Sequence, residues 1–136
     1  MTIKIDETGW PIVTISMGEE YTSEMLHQYT AYWENWLSRK TAFGVLIIQT
    51  SDKKAKPSKE VTQAYLQWCK QNRSSIAKYC IGIATVVPTD HLLVLYKPVA
   101  ALSTRKTYGC PGNVFKSEEE AVNWLKELYH KQKIAK

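Results

Sequence analysis

A polar, lysine-rich segment follows one of the most apolar runs of the chain and carries residue types suited to binding an anion. It extends from Thr50 to Ser58 and precedes a stretch with helical periodicity, so Ser58 falls at a helix N-terminus. Free backbone amides and the helix dipole favour an anion there, including a phosphorylated side chain. The segment therefore predicts an anion-binding or partner-binding site, with phosphorylation of Ser58, or of Ser51, as its switch. The residues of this site are Lys53, Lys54, Lys56, Ser58 and Lys59.

A simpler interpretation of the same segment is that Ser58 only caps the following helix. A serine hydroxyl at the N-cap accepts a hydrogen bond from a backbone amide of the first turn. The lysines beside it would then form a solvated surface, as most charge runs do. The sequence leaves both interpretations open.

The three histidines do not form a recognisable catalytic group. His91 follows Asp90 at a predicted strand-to-helix boundary, where α/β folds often build sites, and it could act as a base. No serine or cysteine nucleophile motif accompanies it, and N-capping by Thr89 or Asp90 explains the local polarity. His27 and His130 are predicted to lie on solvated helix surfaces.

Patterns for metal, cofactor or nucleotide binding are missing from the sequence. Cys69, Cys80 and Cys110 are widely spaced, without CxxC or Cys/His ligand spacing. Cys110, next to Pro111, is predicted to be the most exposed thiol. The six glycines form neither a GxGxxG nor a GxxxxGK[ST] loop, and no pair of carboxylates is recognisable. We therefore predict no catalytic residue, no metal, no cofactor and no enzymatic activity.

The composition indicates one globular domain. With 136 residues, of which 44% are hydrophobic and 23% charged, the chain is neither disordered nor fibrous and has little room for a second domain. Its apolar runs are far shorter than the roughly 20 residues of a membrane-spanning helix. The N-terminus has no apolar region of a signal peptide. These features and the unpaired cysteines predict a cytoplasmic protein.

Charge is distributed unevenly along the chain. Residues 1–37 carry −5, residues 38–79 carry +7 and residues 80–136 carry +3. A basic middle third could attract phosphate, an acidic protein surface or nucleic acid. Nucleic acid is not an expected partner, because the first third is acidic and no basic-aromatic motif is present. Solvated helix faces explain most of these charges.

Periodicity in the first two thirds of the chain predicts a hairpin followed by two helices and two strands. Met25 to Leu37 place apolar residues at three- and four-residue steps, which indicates a helix capped by Thr22 or Ser23. Continuous β-branched runs indicate strands that are covered on both faces. The other predicted elements are a hairpin in Ile3–Ser16, a strand in Gly44–Gln49, a helix from Ser58 and a strand in Cys80–Val87.

The last third is partly ambiguous. His91–Leu102 fits a helix that Pro98 kinks or interrupts, although Leu92–Tyr96 alone would also fit a strand. Asn113–Lys116 predicts an edge strand. Ser117 and Glu120 form a capping box for a last helix, which is expected to fray into a basic tail at about 131–136. Together these elements predict an α/β fold: a single-domain sandwich over residues 1–136, with one mixed sheet of about five strands and helices packed on it.

Two segments of the C-terminal half resemble the STAS-like, or SpoIIAA-like, family, which includes the anti-sigma-factor antagonists. One is the strand Ile81–Val87, which leads into a helical segment. The other, Val114–Leu125, is similar to the "vF.s.eEAl.WL" ending common in these proteins. The order of the upstream elements also fits, so the resemblance spans roughly residues 3–130.

This resemblance implies a non-enzymatic regulatory domain that acts through contact with a protein partner. In the sporulation antagonists, a serine at the N-terminus of the helix after the central strand is phosphorylated, and Ser58 is its nearest equivalent here. The Asp-Ser-Ser/Gly signature of that site is replaced by Lys56-Pro57-Ser58-Lys59. A homodimer is also compatible with this reading.

Domains of the same topology also include lipid-binding ones, which gives an alternative function. A lipid or other small apolar ligand could lie between the sheet and the helices, although a plain hydrophobic core explains the same aromatic residues. The side chains that could line such a pocket are Tyr29, Trp33, Trp36, Tyr65 and Trp68.

Overall fold

The strands stand in the sheet in the order in which they occur along the chain. The computed structural model describes residues 3–18, 21–51 and 57–134, and within them five strands form one sheet with four helices. β1 and β2 form an antiparallel hairpin, and β2 to β5 are parallel. The elements are β1 (Lys4–Asp6), β2 (Ile12–Met17), α1 (Ser23–Ser38), β3 (Phe43–Gln49), α2 (Lys59–Tyr79), β4 (Cys80–Val86), α3 (Asp90–Tyr108), β5 (Gly112–Phe115) and α4 (Glu118–Ile134).

The helices lie in two unequal layers. Parallel neighbours require a crossover connection, and α1, α2 and α3 supply one each on the same face of the sheet. Val45 and Ile83 point to that face, whereas Leu46 and Ala84 point to the opposite face, which α4 covers through Leu125. The predicted α/β sandwich with a mixed five-stranded sheet is confirmed.

An aromatic core fixes α1 against the sheet. Trp33, Trp36 and Phe43 are all 0% exposed, and the ring centroids of Trp33 and Phe43 are 5.8 Å apart. Trp36 Nε1 donates a hydrogen bond to Glu7 Oε1 at 2.8 Å. Arg39 Nη2 donates to the same oxygen, also at 2.8 Å. The hairpin turn is thereby tied to the end of α1.

α3 is one helix that continues through Pro98, which agrees with the kinked rather than the interrupted form of the prediction, and it extends beyond the predicted end at Leu102 to Tyr108. Proline removes one backbone donor, but burial of Leu92, which is 2% exposed, holds one side of the helix to the sheet. Gly109, with φ of 82°, ends the helix in the left-handed conformation that glycine adopts without strain.

The prediction of an exposed thiol at Cys110 is wrong. The left-handed turn at Gly109 ends α3 and directs the chain towards β5. Cys110, which follows this turn, lies in the core and is 1% exposed. Its Sγ lies 3.9 Å from Cys80 Sγ, and both cysteines belong to the main core.

Ser117 caps α4 as predicted, because its Oγ accepts a hydrogen bond from Glu120 N at 3.3 Å. α4 continues to Ile134 and therefore includes most of the segment expected to fray.

Candidate functional site

A cleft of about 350 Å³, here called the α1–α2 cleft, opens between the N-terminal halves of these two helices. Its floor lies near the carboxyl ends of three parallel strands, at Met17, Ile47 and Thr85. In α/β folds this edge of the sheet is the usual place for ligands. The helices line the cleft with Met25, Leu26 and Tyr29 from α1 and with Val61, Thr62, Tyr65 and Leu66 from α2.

The cleft forms at this end because aromatic side chains fill the space between the helices further along. Trp33 and Trp68 have ring centroids 6.2 Å apart. Trp68 Nε1 also donates to Glu34 Oε2 at 3.0 Å, so the two helices are joined at this level. Nearer their N-termini the facing side chains include Met25 and Val61, which leave the space open.

Three tyrosine hydroxyls meet at the cleft. Tyr65 lies between the other two: its hydroxyl donates to Tyr29 at 3.5 Å and shares a short hydrogen bond with Tyr108. Burial raises the pKa of Tyr29 to about 12. Burial likewise raises the pKa values of Tyr65 and Tyr108 well above their usual range. The three phenols are therefore neutral near pH 7 and act only as hydrogen-bonding groups.

The described lining of the cleft contains no charged side chain. Its remaining polar groups are hydroxyls, such as those of Thr62 and Thr85, and the Gln49 amide. Gln49 Nε2 donates to the carbonyl oxygen of Ser51 at 3.2 Å. The cleft is thus mainly apolar, with a few neutral hydrogen-bonding groups.

Ser58 lies next to the rim of the cleft. Its Oγ accepts a hydrogen bond from Val61 N at 3.2 Å, so it is the N-cap of α2. Its neighbour Pro57 and the capped residue Val61 both line the cleft. Lys59 is the first residue of α2 and is exposed. Lys53, Lys54 and Lys56 lie outside the described residues, so the anion or partner site stays a prediction.

The aromatic residues expected at an apolar pocket divide into two groups. Tyr29 and Tyr65 line the cleft, whereas Trp33 and Trp36 are fully buried in the core. Trp68 stacks on Tyr65 with ring centroids 6.3 Å apart and supports the wall from behind. Tyr21, Tyr108 and the strand residues of the floor also line the cleft but were not predicted to do so. No sequence pattern indicated Tyr108, because the predicted helix ended before it.

The histidines and cysteines are separate from the cleft lining. His27 and His130 are exposed, as expected, and His91 is exposed as well. Within the described ranges, no group of three or more His, Cys, Asp or Glu side chains could hold a metal ion. No helix of the described chain is long and apolar enough to cross a membrane.

Comparison with known proteins supports the fold. No family model matches the sequence, and a search of curated proteins found no match. The structure is similar to an uncharacterized protein from the DUF3478 family with a SpoIIAA-like fold from Shewanella loihica PV-4. The TM-score is 0.62 at 16% identity, covering 91% of this chain and 92% of that chain. A second similar structure, Pseudomonas aeruginosa DspI, has a TM-score of 0.48 at 6% identity, covering 95% of this chain and 80% of that one. The fold of this chain is SpoIIAA-like, as the sequence resemblance predicted.

Proposed function

We propose that the protein is a non-enzymatic binding module that holds a small, neutral, mainly apolar molecule in the α1–α2 cleft. The observation that carries this proposal is the cleft itself: about 350 Å³ of space lined by uncharged side chains at the carboxyl edge of the sheet. Small-molecule sites commonly have volumes of about 300–1,000 Å³ and apolar walls with a few placed polar groups. The volume here is at the lower end of that range and favours a compact ligand.

The polar groups of the cleft restrict the ligand chemistry. An ionised group would lose its hydration in the cleft without gaining a counter-charge from the described lining residues, which is strongly unfavourable. A single hydroxyl, carbonyl or ether oxygen could instead hydrogen-bond with the hydroxyls of Tyr29, Tyr65 or Tyr108. The favoured ligand class is therefore a neutral lipid-like molecule with one polar group.

The same groups support binding without turnover. General acid–base catalysis near neutral pH needs a group whose pKa lies near the working pH. Burial raises the pKa values of Tyr29, Tyr65 and Tyr108 further away from that range. The described lining has no carboxylate or imidazole.

Native mass spectrometry and displacement of an apolar fluorophore test ligand binding. We expect gently purified protein to carry a small molecule or to bind the fluorophore competitively with neutral lipids. Thr62→Trp places an indole in the cleft and should weaken binding by about tenfold or more, because the bulky ring occupies the ligand space.

Gln63→Trp is the matched control, since Gln63 is also exposed on α2 but does not line the cleft. Equal ligand binding by the parent and Thr62→Trp would contradict the proposal. Turnover of a common ester, phosphate or nucleotide by the purified protein would contradict its non-enzymatic part.

We also propose a regulatory role through contact with a protein partner at the N-terminus of α2. The observation that favours it is the place of Ser58, which is exposed and lies between two lining residues, Pro57 and Val61. A partner bound there would contact the wall of the cleft, whether or not the cleft holds a ligand. Pull-downs from native lysate should recover a partner with the parent and lose it with Ser58→Asp. Equal recovery of the partner by the parent, Ser58→Ala and Ser58→Asp would contradict this role.

A further inference from the structure

The outer side of α3 is apolar and exposed. Val94 and Leu102 are 74% and 75% exposed, and Val99 and Leu95 are 55% and 44% exposed. With exposed Pro98, these residues fall within an arc of about 140° at 100° per residue. They are here called the α3 stripe. Contiguous exposed apolar surface of this kind marks sites of interaction with proteins or membranes.

The α3 stripe contains no free charge along its central part. Lys97 is the charged residue between His91 and Arg105, and its ammonium group is directed back to the sheet edge. It donates to Asn113 Oδ1 at 3.2 Å and to the Val114 carbonyl oxygen at 2.9 Å. The stripe is therefore apolar in its middle, with His91 at one end and Arg105 and Lys106 at the other.

The α3 stripe lies in the more basic of the two helix layers. Together, α2 and α3 contain seven Lys or Arg residues and two acids, a charge of +5. α1, in the same layer, carries −2, so the three helices of this layer carry +3, whereas α4 on the opposite face carries −1. One of the two acids, Asp90, is paired with Lys116 at 2.9 Å. An apolar strip and an excess of positive charge thus occur on the same side of the protein.

We propose that α3 docks this protein onto the surface of an anionic lipid bilayer. The aliphatic side chains of the α3 stripe enter the boundary between headgroups and acyl chains, and Arg105 and Lys106 remain at the level of the lipid phosphates. Amphipathic helices that lie in membrane interfaces combine apolar area and basic residues in this way. The inference goes beyond the proposed ligand site and does not depend on it.

Two other occupants of the stripe fit less well. A second copy of the chain would bring two basic layers together, and like charges across an interface are unfavourable. A protein partner is usually held by aromatic or arginine residues at the centre of an interface. The α3 stripe has none at its centre, which contains only Leu, Val and Pro. A fluid apolar phase needs no directional contacts and therefore suits it better.

Vesicle flotation tests the proposal with the full chain. We expect the protein to float with vesicles of phosphatidylcholine containing about one-third phosphatidylserine, and to float less in pure phosphatidylcholine or at high salt. Leu95→Gln/Leu102→Gln should weaken binding by about tenfold or more, because both leucines lose apolar area in the interface. Arg105→Gln/Lys106→Gln should weaken it by about fivefold per residue.

Matched controls use other surfaces. Tyr32→Gln removes an exposed apolar side chain from α1, and Lys126→Gln removes a charge from α4. Both should float like the parent, and all variants should keep the parental thermal midpoint. Thr62→Trp should also float normally, so failure of the ligand site and failure of membrane docking are distinguishable.

Three results would overturn membrane docking. The first is no flotation of the parent with the anionic vesicles. The second is equal flotation of the parent and Leu95→Gln/Leu102→Gln. The third is a dimer in sedimentation velocity that the leucine variant converts to a monomer, since the stripe would then be an interface between two copies.

Discussion

At the scale of single residues, the hydroxyl of Tyr65 connects three helices. Tyr29 belongs to α1, Tyr65 to α2 and Tyr108 to α3, and their hydroxyls form one chain of hydrogen bonds. Buried hydroxyls lose free energy when they lack a partner, so this chain both stabilises the helices and presents polar atoms to the cleft.

Removal of one hydroxyl from this chain tests its contribution to stability. Tyr108→Phe should lower the free energy of unfolding by about 1–2 kcal/mol, because Tyr65 then keeps only the longer bond to Tyr29. Urea unfolding measures the change. Tyr32→Phe is the control, since Tyr32 is 42% exposed and does not belong to this chain of hydroxyls. Equal stability of the two variants would mean that the tyrosine chain contributes no net stabilisation.

Gly112 permits the close approach of β5 to α3. A Cβ added at this glycine would overlap both Thr104 Oγ1 and Thr104 Cβ, and it would lie 2.7 Å from Thr104 Cγ2. Gly112→Ala should therefore cost about 1–3 kcal/mol in unfolding free energy.

Gly44→Ala provides the comparison for Gly112→Ala. Its Cβ would first meet the end of the Leu125 side chain at 3.2 Å, which can move more easily than a Cβ atom. A smaller loss for Gly112→Ala than for Gly44→Ala in urea unfolding would show that α3 can shift away from the sheet edge.

At the scale of elements, the start of α2 combines a structural and a functional hypothesis. Ser58 caps the helix, and the same residue is the predicted site of phosphorylation. These roles are compatible, because a negative charge at a helix N-terminus interacts favourably with the dipole.

Substitutions of Ser58 separate the two roles. Ser58→Ala should lower stability by about 1 kcal/mol, since Val61 N loses its acceptor. Ser58→Asp should remain near the parental stability, because aspartate is also a good N-cap. Thermal or urea unfolding checks both. If Ser58→Asp were as unstable as Ser58→Ala, an acidic group would not fit at this position, and the phosphorylation hypothesis would lose its support.

The basic segment before α2 has a separate prediction. Cations oppose the dipole at a helix N-terminus by a few tenths of a kcal/mol each. Replacing Lys53, Lys54 and Lys56 with Gln should leave stability unchanged or slightly higher while weakening the binding of phosphate or an acidic partner. Titration calorimetry with phosphate measures this, and binding equal to that of the parent would assign these lysines to the solvated surface.

At the scale of the whole molecule, buried tyrosine phenols and a buried cysteine thiol make the stability of the fold depend on pH. Tyr29 has an ordinary pKa of 10.0 that burial raises to about 12, and burial also raises the pKa of Cys69 to about 11. An acid with a raised pKa in the folded state stays neutral there while the unfolded chain already ionises. Its stabilisation is therefore complete at lower pH and is lost as the pH rises.

We expect the free energy of unfolding to fall as the pH rises from about 9 to about 12, because Cys69 loses its stabilisation between about pH 9 and 11 and Tyr29 between about pH 10 and 12. Urea midpoints across this range measure the loss, and tyrosinate absorbance follows the ionisation. Tyr29→Phe should reduce the slope relative to the parent. A slope equal to that of the parent would show that Tyr29 does not ionise with unfolding.

Features that depend on neighbours along the chain could be predicted from the order of the residues. The caps at Thr22, Ser58 and Ser117 follow from short side chains before helical periodicity, and each accepts the hydrogen bond expected of it. The buried strands were recognisable because both of their faces are apolar. The mixed α/β fold followed from the alternation of these elements.

Features that depend on contacts between distant segments could not be predicted before the fold was known. The length of α3 depended on the packing of Leu92 and the turn at Gly109, which outweighed the local effect of Pro98. The same turn buried Cys110. The α1–α2 cleft brings together residues from Ile3 to Tyr108, and no local pattern encodes their distance. A cleft is space left between packed side chains, so it is determined only when the helices have taken their places on the sheet.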